Sequence, residues 1–136
     1  MKKKSLSRNG GVLDKLWRTV GKDSARCEIC ETLPPSERIR YTQLQPHHII
    51  KRGHKATRWD LRNRIWVCPY HHTLGPWNYC VESNTGGWFW GAKDDWMGKY
   101  RPEDKEYLEK KKYETKKWTD KELEEIRDNL KKELSI

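Results

Sequence analysis

Leu13, Leu16, Trp17 and Val20 recur at i, i+3, i+4 and i+7 within otherwise polar sequence, the spacing that lines one face of an α-helix. Gly21 stands where a C-cap belongs, so a short helix is predicted over Val12 to Val20. The period then changes. "RIRYTQLQPHHII" (38–50) has alternating and β-branched character, "NRIWVC" (63–68) has it again, and both predict strands. The connecting "KRGHKATRWDLR" runs to a dozen residues, longer than an ordinary hairpin loop, which marks a loop retained for function. Pro69 suits the first turn of a helix carrying Tyr70, His71, His72 and Leu74, and Gly75-Pro76 ends it. The predicted unit is strand, loop, strand, helix.

From Trp88 onward the texture becomes Trp-rich and then Lys/Glu-rich, with Pro102 as punctuation. Helices are predicted near 88–99 and 102–117, and a third opens at Thr119. There Thr119 and Glu122 form a T-x-x-E capping box, and Leu123, Ile126, Leu130 and Leu134 draw one apolar stripe. The charged faces of these helices are solvated surface or a contact for DNA or a protein partner. Three segments follow: a basic flexible tail (1–10), a core (11–80) and a helical C-terminal extension (81–136). Trp59 and Trp66 are expected in the core because aromatic residues beside a strand pack, and some of Trp88, Trp90 and Trp96 with them.

Composition narrows what such a unit does. The chain of 136 residues makes one domain, and a hydrophobic content of 34% leaves a small core that needs a staple. Lys plus Arg is 29 against 20 Asp plus Glu, a net charge of +9, and eight Trp and six Tyr accompany it, which favours nucleic acid as partner. No long apolar run spans a membrane, and Met1 to Lys4 is followed by polar sequence and not by an export signal, so a cytoplasmic protein is expected. No internal repeat is evident. In a reducing compartment its cysteines read as metal ligands before disulfides.

Cys27-x-x-Cys30 is half of a zinc site, because two thiolates two residues apart in a tight turn reach one tetrahedral ion. Cys68-x-x-His71 is a second pair at like spacing and completes a Cys3His set. Cys80 is the rival fourth ligand, though Gly75-Pro76 intervenes; buried thiols without metal are the bland alternative. The five histidines fall between residues 47 and 72, in two doublets and one single. Adjacent residues at a strand end point to opposite sides, so His47 and His48 divide a metal-binding and a substrate-facing role. His72 is likewise directed away from the zinc that His71 holds. His54 is expected to be an exposed loop residue, with an extra metal ligand or phosphate contact as alternatives.

"LWRTVGKDSARCEIC", "HHII" and "RWDLRNRIWVCPYHH" resemble the HNH endonuclease family, whose ββα-metal (His-Me finger) motif reads His, Asn, His. The likeness covers roughly residues 12–74, and the loop spacing and trailing helices are also similar to phage NinG-type recombination endonucleases. The resemblance implies an α+β fold with a ββα-metal core, a zinc knuckle, a short N-terminal helix and C-terminal helices. By position it makes His48 the general base, Asn63 the middle Asn, and His47 and His72 ligands of one catalytic divalent cation (Mg, Mn, Ni or Zn). Cys27, Cys30 and Cys68 match structural zinc cysteines, and His71 stands where relatives carry a fourth Cys. Pro76 stands where a third metal-binding His would lie in the colicin-like branch. The implied activity is metal-dependent hydrolysis of DNA phosphodiesters, leaving 5′-phosphate and 3′-hydroxyl ends.

That chemistry also follows from the residue types. A neutral imidazole activates water near pH 7, a cation neutralises charge gathering at phosphorus, and an amide such as that of Asn63 fixes loop backbone without moving a proton. Lys51, Arg52, Lys55, Arg58, Arg62 and Arg64 surround this set as expected phosphate contacts. One rival reading, a non-catalytic zinc-stapled DNA-binding module, keeps the knuckle and dispenses with His48; another, an accessory protein of phage packaging or recombination whose C-terminal helices recruit a partner, is compatible with catalysis.

Overall fold

The computed structural model describes residues 11–74 and 93–135. The expectations for the basic tail, the Gly75-Pro76 stop, Cys80, Trp88 and Trp90 lie outside the described residues. Helix α1 (Val12–Thr19) buries Leu13, Leu16 and Trp17, as the spacing predicts. Val20 closes it with a bond from its N–H to the Leu16 carbonyl, and Gly21 turns the chain at φ 73°, a left-handed conformation that favours glycine. A single turn, α2 (Glu28–Glu31), follows, with the Cys27 sulfur accepting from the Cys30 N–H at its start.

Strands β1 (Gln45–His48) and β2 (Arg64–Val67) pair antiparallel, with Gln45 opposite Val67 and His48 opposite Arg64. The long strand predicted over 38–50 therefore contracts to four residues. Its partner is no longer than that, and Pro46 at its middle cannot donate to a ladder. Upstream, Tyr41 serves a different purpose, its hydroxyl accepting from the Cys27 N–H at 2.9 Å. The outer edge of β2 is closed by side chains: Glu28 accepts from the Trp66 N–H at 2.6 Å, and Arg101 donates to the Arg64 and Arg62 carbonyls at 2.9 and 3.0 Å. An edge so occupied offers nothing to a second chain.

After Pro69 the chain makes one wide π-helical turn (Tyr70–Leu74). Helices α3 (Lys93–Tyr100), α4 (Pro102–Lys111) and α5 (Asp120–Leu134) complete the order. α4 stops short of the predicted 117. The His54 imidazole Nε2 lies 3.0 Å from the Lys111 carbonyl at its last turn, and the Trp118 indole beyond it donates to the Lys55 carbonyl at 3.0 Å. The loop between the strands thus ends the helix, and half-buried His54 is a C-terminal cap, not the exposed residue expected. The capping box of α5 forms as predicted, Thr119 with Glu122.

Two apolar clusters result. One joins Cys27, Ile29, Cys30, Ile49, Ile65, Val67 and Cys68 to Met97 and Leu108, so α3 and α4 cover the sheet and the knuckle. The other packs Leu13, Leu16, Trp17 and Val20 of the N-terminal segment against Leu123 and Leu130 of α5, with Trp59 between. Each such fully buried aliphatic contributes about 1.5–3 kcal/mol. Leu134, expected on the same stripe, is 48% exposed. The eight residues of α1 are shorter than the fifteen of α5, and the last turn of α5 outruns its partner. The result is an α+β fold with a two-stranded antiparallel sheet and a Cys3His cluster. No helix among the described residues is long and apolar enough to cross a membrane.

Candidate functional site

The knuckle assembles from two segments of the chain that meet at β2. α2 supplies Cys27 and Cys30, and the end of β2 with its following turn supplies Cys68 and His71, all four buried and their ligand atoms within 4.8 Å of one another. His71 Nδ1 lies 3.5, 3.4 and 3.3 Å from the sulfurs of Cys27, Cys30 and Cys68, and Cys30 and Cys68 are 3.9 Å apart. A tetrahedral zinc with its usual bond lengths requires edges of about 3.5 Å between sulfur and nitrogen and about 3.8 Å between sulfurs. The cluster has the shape of that polyhedron, and three thiols with one imidazole are a zinc donor set. Burial pushes the Cys27 thiol up to about 12 and raises that of Cys30, while it lowers His71 toward its neutral, ligating form. A bound dication reverses the thiol preference and draws the protons off.

The second group of predicted residues surrounds β1. His47 and His48 leave the strand on opposite faces. On one face, His47 meets His72 edge-on, ring centroids 5.4 Å apart and planes at 61°. Two imidazoles bound to one ion at about 2.1 Å, at 90–110° to each other, hold their centroids about 4.6–5.3 Å apart, and this pair stands just outside that range. The π-turn brings the pair together by directing His71 into the knuckle and the next residue toward β1.

On the other face, the His48 ring stacks on Trp17 at 3.8 Å between centroids, with planes 5° apart, and its Nε2 meets the Arg58 carbonyl at 2.8 Å. Burial holds this imidazole below its ordinary value, against the raising effects of the Arg58 carbonyl and of Asp14. Asn63, fully buried, stitches the loop to the strand end: its Oδ1 accepts from the Ile50 N–H at 2.6 Å, and its Nδ2 donates to the carbonyls of Ile50 and Thr57, each at 3.1 Å. The geometry matches the loop-fixing task expected of an amide there.

The predicted phosphate contacts divide. Lys51, Arg52 and Lys55 are exposed on the loop. Arg58 is turned inward, 12% exposed, its guanidinium bidentate on Asp14 at 3.0 and 2.7 Å. Arg64 donates to the Trp17 carbonyl at 2.6 Å and lies over Trp66, and burial pushes it down to about 10, still protonated at neutral pH. Arg62 pairs with Asp104 at 2.8 Å and rests on the Tyr107 ring at 3.8 Å. Tyr107 in turn donates to Asp60.

Sequence reasoning missed Asp14. It is 6% exposed and gathers Arg58, Arg52 at 3.3 Å and the Trp59 indole N–H at 2.9 Å. The available signal was a carboxylate three residues before Trp17, beside the apolar face of α1. Trp17, on the apolar face of α1, is both a core residue and the stacking partner of His48. No family model, curated protein or solved structure matches this chain.

Proposed function

We propose that the chain is an HNH-type, ββα-metal DNA endonuclease with one structural zinc and one catalytic divalent cation. The observation that carries the reading is the division at β1, where His47 lies against His72 on one face and His48 is held by the loop that Asn63 stitches on the other. His48 Nδ1 takes a proton from water, the water oxygen bonds to phosphorus, the P–O3′ bond breaks, and the 3′ oxygen leaves with a proton from solvent. His47 and His72 would hold the cation, which would supply charge neutralisation to the phosphate and the leaving oxygen. Asn63 keeps the loop, and with it the Arg58 carbonyl, in register with His48. Lys51, Arg52 and Lys55 supply backbone contacts to DNA.

The zinc-stapled binding module shares the knuckle and the basic loop but has no use for a base at His48. Incubating the zinc-loaded protein with supercoiled DNA separates them: divalent-dependent nicking is expected, lost in His48→Ala by about 100- to 10,000-fold with DNA affinity retained. Binding without divalent-dependent cleavage would leave the module. One monomer carries one such site and is expected to nick.

A further inference from the structure

α1 bears on His48 in two ways, directly through Trp17 and indirectly through Asp14 and Arg58. The Trp17 indole covers the imidazole face with centroids 3.8 Å apart and planes 5° from parallel, so the ring cannot tip. Trp17 is itself anchored, 1% exposed and donating its indole N–H to the Asp60 carbonyl at 2.9 Å. At the ring edge, Nε2 lies 2.8 Å from the Arg58 carbonyl. A carbonyl only accepts, so Nε2 carries the proton and Nδ1 bears the lone pair. The residue that owns this carbonyl is clamped in turn: Asp14 grips its guanidinium at 3.0 and 2.7 Å and the neighbouring Trp59 indole at 2.9 Å.

Filling a core requires neither arrangement. An apolar residue at position 14 would pack between α1 and the loop without the desolvation cost of a carboxylate, and a buried indole needs no coplanar imidazole. Resting on the nuclease reading, we infer that α1 is the positioning element of the general base: Trp17 fixes the plane of His48, and Asp14, through Arg58, fixes the tautomer that presents Nδ1 to water.

The test compares Trp17→Phe with Trp17→Leu in the full, zinc-loaded chain. Both lose the indole N–H, and only Phe keeps a planar face. Trp17→Leu is expected to lower kcat and kcat/KM together by about 10- to 100-fold, with Trp17→Phe restoring most of it. A folded, zinc-loaded Trp17→Leu that cuts at the wild-type rate overturns the inference. Nitrogen-15 spectra of the wild-type protein are independent of any variant's folding. They are expected to show His48 protonated at Nε2, with its ring protons moved upfield by the indole; protonation at Nδ1 overturns the inference. His48→Ala distinguishes the two levels. If it cuts normally, the base assignment falls and the positioning role with it; if it is dead while Trp17→Leu is unimpaired, only the positioning role falls.

Discussion

Replacing Asn63 by Asp removes one amide donor group and changes almost no volume, so its effect is an electrostatic one that can be worked through. Nδ2 donates to two carbonyls, of Ile50 and Thr57, both at 3.1 Å, from a side chain with no exposure. An ionised Asp there would set an anion against two acceptors. The cheaper route is to take up a proton, which at pH 7 costs about 4 kcal/mol from an unfolded value of about 3.9. A protonated carboxyl has one O–H, so one carbonyl still goes without a donor, at a further cost of about 1–3 kcal/mol. The sum, about 5–7 kcal/mol, brings a typical domain to the edge of unfolding. The folded pKa of this Asp lies above the unfolded one, so the folded state binds more protons. The variant is therefore relatively most stable at low pH and loses stability as pH rises toward the folded pKa, by about 1.4 kcal/mol per unit. Urea unfolding of wild type, Asn63→Asp and Asn63→Ala at pH 5, 6 and 7 measures this, and the shared pH dependence of the zinc site cancels in the differences. The gap between wild type and Asp should narrow by about 2–3 kcal/mol between pH 7 and 5, while the gap to Ala stays level. An Asp gap that does not change with pH, or one below about 1 kcal/mol at pH 7, would refute the assigned bonds.

Three further outcomes follow from the same geometry. Metal analysis should find one tightly held zinc per chain, and Cys68→Ser should lose it together with a share of a folding contribution on the order of 10 kcal/mol; a zinc-free wild type that folds would remove the knuckle. Burial holds folded His48 below its unfolded value of 6.5, so the neutral base persists below that pH and the acid limb of cleavage, at saturating divalent ion, should have its midpoint under 6.5. The associated stability is complete above the unfolded value and is lost as pH falls through the window beneath it; an acid limb centred above 6.5 would contradict this. Lys51→Ala with Lys55→Ala should flatten the salt dependence of DNA binding by about 1.8 in log–log slope, whereas Arg58→Ala should leave the slope unchanged and cost up to about 3–5 kcal/mol of stability, since it removes the bidentate partner of the buried Asp14 carboxylate.

What could be foreseen in the chain was what depends on neighbours in sequence. The Thr119 and Glu122 box, the α1 stripe and the C-x-x-C and C-x-x-H pairs each lie within about two helical turns, and local geometry makes them. The divergence of His47 from His48 follows from strand alternation alone. The length of β1 did not follow, because a strand is only as long as its partner and β2 offers four residues. Nor did the fate of the arginines. Arg52, Arg58, Arg62 and Arg64 look alike in sequence, yet Asp14 and the Trp17 carbonyl turn Arg58 and Arg64 inward, while Arg62 pairs with Asp104 at the surface. His54 and the end of α4 define each other across the fold, and no local pattern marks either.

The helix that steadies His48 is itself held from the far end of the chain. Residues 13 and 17 find their apolar partners at 123 and 130, so the second cluster is among the most non-local contacts in the molecule. Contacts of that kind form late, because a long loop must close before they reward it. During synthesis, the knuckle, the sheet and both histidine doublets emerge well before α5 exists to seat α1. On the positioning role inferred above, docking of α5 would complete the burial of Trp17 against His48 and so would be a late folding step that arms the site.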